Sequence, residues 1–294
     1  MAFDQSITTN GPNLAGDDAL RDFVGRHQRL FVLTGAGCST DSGIPDYRDA
    51  NGGWKRAQPV TYQAFMGEEL TRKRYWARSL VGWRRFGYAV PNDTHHALAR
   101  LEQLGKVQLL LTQNVDGLHQ RAGSRQVLDM HGRLDTVRCT GCEQRSPRHA
   151  LQQALLQLNP AWAKLDATNA PDGDADLEGH DFNTFAVPPC PQCGGVLKPD
   201  VVFFGENVPR DRVAEAMQAL EDADAVLVVG SSLMVFSGYR FVHAAAKAGK
   251  PVAAVNLGRT RADPLLSLKV EQPCAEALAF LREASTARAE EIAQ

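Results

Sequence analysis

Four short apolar runs punctuate the chain: residues 30–33 (Leu-Phe-Val-Leu), 107–111 (Val-Gln-Leu-Leu-Leu), 225–229 (Ala-Val-Leu-Val-Val) and 252–255 (Val-Ala-Ala-Val). Each has the length of one strand, and most are followed by Gly, Asn or Ser. Between them the apolar positions change period. Leu20, Phe23 and Val24 precede the first run, and Val213, Met217 and Leu220 precede the third, at the three- and four-residue spacings of a helix with one buried face. Strands alternating with helices predict an α/β fold, a Rossmann-like doubly wound parallel sheet. Ligands of such sheets bind at the carboxyl ends of the strands. Those ends carry Thr34-Gly35-Ala36-Gly37, Thr112-Gln113-Asn114-Val115-Asp116, Gly230-Ser231-Ser232 and Asn256-Leu257-Gly258, where small and amide residues dominate.

The pattern breaks in the middle of the chain. Residues 139–193 carry two Cys-x-x-Cys pairs around a stretch, 159–189, rich in Asp, Gly, Asn and Pro. This predicts a small metal-stapled module with a mobile insert, after which the chain returns to the sheet. The expected division is a discontinuous domain over 15–138 and 194–284, the module over 139–193, and a tail over 285–294. No repeat or low-complexity tract interrupts this order.

Composition narrows the class. The 294 residues are 44% hydrophobic and 22% charged, as in a folded soluble protein rather than a disordered or fibrous one. Lys and Arg total 32 against 34 Asp and Glu, a net charge of -2, so no global basic field draws the chain onto nucleic acid. The longest apolar stretch, residues 225–236, is broken by Gly230, Ser231 and Ser232 and falls short of the roughly 18 residues of a membrane span. No Lys or Arg precedes Arg21, which fits neither a signal peptide nor an Arg-rich transit peptide and leads to the expectation of a cytoplasmic protein.

Three constellations bear on chemistry. Gly35-Ala36-Gly37 follows a strand directly, where glycine lets the backbone approach a pyrophosphate and meet its charge with peptide N–H groups; a plain strand-to-helix turn has the same look. The third fingerprint position is Thr40, and about twenty residues on stand Lys55 and Arg56 rather than a ribose-binding acid, so a hydride-transfer Rossmann enzyme is a poor match. Cys139, Cys142, Cys190 and Cys193 supply four thiolates for a closed tetrahedral zinc that holds structure and does no chemistry, with redox pairs or buried thiols as the alternatives. Cys38 and Cys274 stand outside these pairs. Gln113, Asn114 and Asp116 at a strand end have the groups to hold a carboxamide ligand, and His131 is either a base near neutral pH or a hydrogen-bonded structural histidine.

Taken in order, the motifs resemble the sirtuin family over roughly residues 15–282. They are Gly35-Ala36-Gly37-Cys38-Ser39, Ser42-Gly43-Ile44-Pro45-Asp46-Tyr47-Arg48, Thr112-Gln113-Asn114-Val115-Asp116-Gly117-Leu118-His119, His131-Gly132, the four cysteines, Phe203-Phe204-Gly205-Glu206-Asn207 and Gly230-Ser231-Ser232-Leu233. Pro91-Asn92-x-x-His95 and Tyr75-Trp76-Ala77-Arg78 further resemble the class II branch. Cys38 departs from the isoleucine common at its position, a small apolar exchange.

The resemblance implies an NAD-dependent protein-lysine deacylase of the deacetylase type, a transferase that moves the acyl group from lysine to ADP-ribose and releases nicotinamide. NAD would be co-substrate, one zinc structural, and acyl-lysine proteins or peptides the partners, with no nucleic acid and no membrane. By the same resemblance, Gly35, Ala36, Gly37, Gly230, Ser231 and Ser232 bind phosphates and ribose. Asn256, Leu257, Gly258 and Cys274 lie at the adenosine half, Gln113 contacts ribose, and Asn114 and Asp116 line the nicotinamide pocket. Asp46, Tyr47 and Arg48 belong to a loop covering the cofactor, given room to move by Gly43, Gly52 and Gly53. His131 becomes the general base that takes a ribose hydroxyl proton so that the hydroxyl can attack the alkylimidate intermediate; Asn114, Asp116 and Arg48 complete the catalytic set. Val202 and Phe204, two apart and thus on one face of a strand, would line the lysine tunnel with Gly205, Glu206 and Met234 around the peptide, while Phe203 reads as core. The peptide would lie between residues 201–204 and 234–238 as an added strand.

Residues 72–86 mix Trp76 and Trp83 with Arg72, Lys73, Arg74, Arg78, Arg84 and Arg85. A nucleic-acid surface is one reading; helical spacing favours a helix burying Trp76, Leu80 and Trp83 over the acyl end of the cleft, with the arginines outside. Succinyl-preferring sirtuins carry a Tyr-x-x-Arg pair, whereas here Tyr75 and Arg78 sit about one turn early, and Ser79 and Gly82 occupy the positions of the pair. Neutral acyl groups are therefore expected, in a pocket lined by Val202, Phe204 and Trp76 or Trp83. ADP-ribosyl transfer to a protein, and a non-catalytic NAD or nucleic-acid binding module, are the competing functions.

Overall fold

The computed structural model describes residues 16–55, 59–165, 174–175, 177 and 179–282. Arg56, part of the insert, the outer limits 15 and 284 and the tail 285–294 lie outside the described residues. Helix α1 (Gly16–Arg26) leads into β1 (Leu30–Thr34), and β2 (Val107–Thr112) and β3 (Val127–Asp129) line up beside it on one side. On the other side lie β7 (Ala225–Val229), β8 (Val252–Val255) and β9 (Leu268–Val270), giving the order β3-β2-β1-β7-β8-β9 with every pair parallel. The chain thus starts at the centre, works outward, and restarts on the opposite side of β1. This is the doubly wound order, and the crevice between β1 and β7 is its switch point. Thr34 pairs with both Thr112 and Val229, so the ends of the three central strands are level.

The consecutive apolar residues of each run serve two layers. Leu30 and Val32 pack with Leu20, Phe23 and Val24 of α1 and with Leu98 and Leu101 of α4 (Asp93–Gln103). Phe31 and Leu33 pack the other way, against Ala216 and Leu220 of α7 (Arg210–Asp222) and Phe241 and Val242 of α8 (Phe236–Lys247). These side chains are fully or almost fully removed from water, each worth roughly 1.5–3 kcal/mol of transfer free energy. Val213 and Met217 of α7 are half-buried on the same layer as Leu220.

Between the two halves sits an antiparallel sheet, β5-β4-β6, of β4 (Gly132–Cys139), β5 (Arg145–Pro147) and β6 (Leu197–Val201). β4 runs into the first cysteine pair and β6 leaves the second: Gly132 pairs with Val201, and Cys139 with Leu197. Helices α3 (Glu69–Phe86) and α6 (Arg148–Leu158) close over it, with Trp76, Leu80, Val137, Leu151 and Leu155 in one core. The motif around Asn92 is a helix start: its Oδ1 accepts from the backbone N–H of Thr94 at 2.9 Å, and its Nδ2 donates to the carbonyl of Cys38 at 2.8 Å, tying α4 to the loop after β1. Among the described residues no helix is long and apolar enough to cross a membrane.

Candidate active site

A cavity of about 370 Å³ opens at the carboxyl ends of β1, β2 and β7. Its floor is two backbones in contact. The N–H of Gly37 donates to the carbonyl of Gly230 at 2.9 Å and that of Gly35 to the carbonyl of Val229 at 3.2 Å. A Cβ on Gly35 would stand 2.8 Å from the Cβ of Ser231, one on Gly37 2.9 Å from the Cα of Gly230, and one on Gly230, whose φ is +61°, 2.4 Å from the backbone nitrogen of Cys38. Only glycine fits at these crossings. After β1 the chain makes two short 3₁₀ turns, Ala36–Cys38 and Thr40–Ser42, rather than a long helix, which accounts for Thr40 in place of a third fingerprint glycine.

The residues after β2 hold one another across this floor. Gln113 Nε2 donates to Ser231 Oγ at 2.7 Å; Asn114 Nδ2 donates to the carbonyl of Gly35 at 3.0 Å and to Ser39 Oγ at 3.1 Å. Ser39 Oγ in turn donates to Asp116 Oδ2 at 2.7 Å, and the N–H of Leu118 donates to Asp116 Oδ1 at 2.9 Å. Burial raises the carboxyl of Asp116 above its ordinary value, against these hydrogen bonds and Arg133.

His131 lies between this network and the small sheet. Its Nδ1 is 3.0 Å from the carbonyl of Gln113 and its Nε2 3.0 Å from Ser237 Oγ. A carbonyl only accepts, so Nδ1 carries the proton and the neutral ring keeps its lone pair on Nε2. Burial holds the imidazole below its ordinary value, helped by the charges of Arg212 and Arg240 and opposed by the Gln113 carbonyl.

The loop over the cleft is tied to itself. Arg48 Nη1 donates to the carbonyl of Gly52 at 2.7 Å, and its guanidinium lies 4.0 Å from the ring centre of Trp54. Lys55, which the sequence offered where a ribose acid was sought, pairs with Asp46. Tyr47 meets the edge of Trp54, and Trp54 the edge of Phe204. Phe204 is 37% exposed and lines the cleft with Val202, Gly205, Glu206 and Met234. Phe203 is buried against Phe65 and Tyr75 and also reaches the cleft.

The far end is apolar: Ile44, Tyr75, Phe86, Val115 and Leu134 line it. Two expectations are corrected here. Trp76 and Trp83 do not line the cleft; they pack behind its Tyr75 and Phe86, where Arg148 sits 5.3 and 5.0 Å from their ring centres and the indole of Trp76 donates to the carbonyl of Leu197. Arg78 does not lie loose outside the helix but donates through Nε to the carbonyl of Ala175 at 2.9 Å, beside Asp174.

Asn256 and Leu257 also line the cleft, while Gly258 and Cys274 do not reach its surface. Gly258, at φ +81°, packs on the backbone of Ala50, where a Cβ would stand 2.5 Å from the carbonyl oxygen. Beneath the floor, in the same core cluster as Cys274, the Cys38 thiol donates to the carbonyl of Val229 at 3.1 Å, and burial pushes its pKa up. The four remaining cysteines converge, their sulfurs all within 4.8 Å of one another. A tetrahedral zinc with 2.3 Å bonds spaces its sulfurs by about 3.8 Å. The N–H groups of Gly141 and Gly195 point at Cys139 and Cys193, each at 3.4 Å. This donor set fits a thiolate-bound metal ion.

The sequence signature of the Sir2 family matches residues 35–237. The chain belongs to the Sir2 family. This Sir2-family chain is 70% identical over 278 residues to an NAD-dependent protein deacetylase of Xanthomonas campestris pv. campestris (strain 8004), covering 95% of this chain and 93% of that one. It is 69% identical to NAD-dependent protein deacetylase 2 of Bradyrhizobium diazoefficiens, over 90% and 97% of the two chains. Among solved structures, a Sir2 with a p53 peptide and NAD+ superposes with a TM-score of 0.71 at 28% identity, covering 91% of this chain and 98% of that one. Sir2Tm bound to a propionylated peptide gives 0.70 at 28%, over 92% and 98%.

Ser39, Trp54 and Ser237 are among the residues of the Sir2 cleft that escaped the sequence reading. Ser39 was visible within its motif but has no role without Asp116 and Asn114 beside it; Trp54 and Ser237 carry no local signal, because their partners Arg48, Phe204 and His131 are supplied by folding.

Proposed function

We propose that the chain is an NAD-dependent protein-lysine deacylase of the deacetylase type, carrying the acyl group to ADP-ribose with release of nicotinamide. The observation that carries the reading is His131: a part-buried imidazole protonated at Nδ1, whose Nε2 accepts from the cleft-lining hydroxyl of Ser237 and which lines the same cleft as the glycine floor, Val202 and Phe204. Relatives about 70% identical over nearly the whole chain are NAD-dependent protein deacetylases.

The glycine floor fits a dinucleotide, because the absence of side chains at Gly35, Gly37 and Gly230 lets the loops after β1 and β7 meet backbone to backbone at the strand ends, where a phosphate can approach peptide groups closely. NAD supplies the ribose carbon that receives the acyl-lysine oxygen as nicotinamide leaves. Gly35, Ala36, Gly37, Gly230, Ser231 and Ser232 hold phosphates and ribose; Gln113 orients ribose; Asn256, Leu257 and the more remote Gly258 and Cys274 shape the adenosine side. Asn114 and Asp116, braced by Ser39, form the nicotinamide pocket, and Asp46, Tyr47 and Arg48 cover it. His131 Nε2 accepts the ribose hydroxyl proton. The lysine passes Val202 and Phe204, with Gly205, Glu206 and Met234 along the peptide, and the partners are acyl-lysine proteins.

One zinc on Cys139, Cys142, Cys190 and Cys193 holds the module over 139–193, set into the dinucleotide-binding domain of 15–138 and 194–284. Class II membership rests on the motifs at Tyr75 and Pro91. Six thiols and a thiolate metal site support a cytoplasmic location. Neutral acyl groups are preferred, because the acyl end is apolar and Arg78 is engaged with Ala175 and Asp174. A buried carboxylate there would lack the paired charge it needs. The experiment compares kcat/KM for acetyl, octanoyl and succinyl forms of one peptide with NAD, following acyl-ADP-ribose by mass spectrometry. The acetyl or octanoyl form is expected to lead by at least about tenfold, equivalent to about 1.4 kcal/mol. A succinyl preference abolished by Arg78→Ala would overturn the acyl assignment, and ADP-ribosylated protein without acyl-ADP-ribose would replace deacylation by ADP-ribosyl transfer.

A further inference from the structure

The ring of His131 is held at both nitrogens, and only one of the two holders follows from the motif after β2. The other is Ser237, the second residue of α8, 106 positions away. Its hydroxyl is not engaged at the helix start, where Val235 is the N-cap and no side chain caps. Gly238 explains how the serine comes within reach: a Cβ there would stand 2.6 Å from Gln113 Oε1, so glycine lets α8 begin directly against the residue whose carbonyl binds Nδ1. Gln113, His131, Ser237 and Gly238 therefore form one packed unit built from β2, β4's leading edge and α8.

We propose that Ser237 is a positioning residue for the base, holding the His131 ring plane and its Nδ1–H tautomer in the free protein until the ribose hydroxyl takes the serine's place at Nε2. This rests on the deacylase reading. With Nδ1–H committed to the Gln113 carbonyl, Nε2 of the neutral ring only accepts, so Ser237 Oγ–H is the donor in the resting protein. When the ribose hydroxyl donates to Nε2, the serine hydroxyl gives up the lone pair. Once the proton has moved from the ribose oxygen to Nε2, Oγ turns to accept from Nε2–H. No bond of the serine breaks, and no proton is gained or lost by it. Without the hydroxyl, the ring is anchored at Nδ1 alone and free to swing about that contact.

The test pairs a measurement on the free protein with kinetics. In ligand-free protein carrying ¹⁵N-labelled histidine, the imidazole signals of His131, identified by their loss in His131→Ala, are expected to show the Nδ1–H tautomer. In Ser237→Ala they are expected to shift or broaden toward a tautomer mixture, and in Ser237→Thr to return. In kinetics, Ser237→Ala is expected to lower kcat for deacylation by roughly 3- to 10-fold, the scale of one net hydrogen bond. Its KM for NAD and its rate of nicotinamide exchange, which precedes the base, are expected to stay within about twofold, with Ser237→Thr recovering the rate. An Nε2–H tautomer in the wild type, an unchanged kcat in Ser237→Ala, or equal loss of exchange and deacylation would each overturn the assignment. Wild-type protein without deacylation would instead count against the deacylase reading, and the tautomer measurement would still decide the serine.

Discussion

Replacing Gly37 by Ala tests whether the floor of the cleft is as tight as it looks. The added Cβ would lie 2.9 Å from both the Cα and the carbonyl oxygen of Gly230, about half an ångström inside the 3.4 Å at which ordinary contact begins. The neighbour is backbone, and it has little room to retreat. Gly230 is held by its own N–H bond to the carbonyl of Val255 at 2.9 Å, and at φ +61° it turns toward the Gly37–Cys38 peptide, where a Cβ of its own would stand 2.4 Å from the nitrogen of Cys38. Relief must therefore come from separating the loops after β1 and β7, the surface on which NAD phosphates would rest. Overpacking of this kind costs about 1–3 kcal/mol, which, expressed in binding, weakens NAD by roughly 5- to 150-fold. Calorimetric titration with NAD measures the change, and thermal unfolding shows whether the fold survives. Gly25→Ala is the control: its Cβ would meet nothing within 4 Å, and in a helix it stabilises by about 0.5–1 kcal/mol without touching NAD affinity. A folded Gly37→Ala protein that binds NAD like the wild type would refute the cradle.

Three further outcomes follow from the same geometry. His131→Ala is expected to fold and bind NAD while losing about 100- to 10,000-fold in deacylation rate; wild-type turnover would remove the histidine from the mechanism. Metal analysis is expected to find one zinc per chain, lost with the fold of its module in Cys142→Ala, given apparent binding energies of roughly 10–16 kcal/mol for structural zinc in small peptides; an active, metal-free variant would refute a structural metal. His95 is buried and neutral, its pKa lowered from 6.5 to about 4 by burial and by His96, and burial lowers His119 beside it. The unfolded chain binds these protons more readily, so stability is complete above about pH 6.5 and falls as pH drops toward 4, by about 3 kcal/mol from His95 alone. Urea unfolding that gave equal stability near pH 7.5 and near pH 5 would contradict this.

What the sequence disclosed depended on how far each signal reached along the chain. The four central strands were legible because a strand buried on both faces is apolar at every position, and no partner need be known to see it. Two edge strands were not, since β3 and β9 have three residues each and are only partly covered. β4 was hidden for a different reason: its register shifts between Arg133 and Val137, which breaks the alternation that marks a half-buried strand. The site divided along the same line. Gly35, Gln113, Asn114, Asp116 and His131 were found because they sit in contiguous motifs at strand ends, where a parallel sheet gathers its ligand contacts. Arg78 was placed outside its helix because its spacing says so, and only the fold brings Ala175 and Asp174 to hold it. Lys55 looked like a missing ribose acid until the loop closed and set it against Asp46. Cys38 and Cys274 had no evident relation at a separation of 236 positions, yet both are buried in one core cluster under the floor. In each case the side chain's type was visible while its direction was not, and direction decides chemistry. An imidazole in a cleft can be a base only if its tautomer leaves a lone pair there, and in this chain the ring of His131 is held by a carbonyl from β2's end and a hydroxyl from α8, neither of which the sequence around His131 contains.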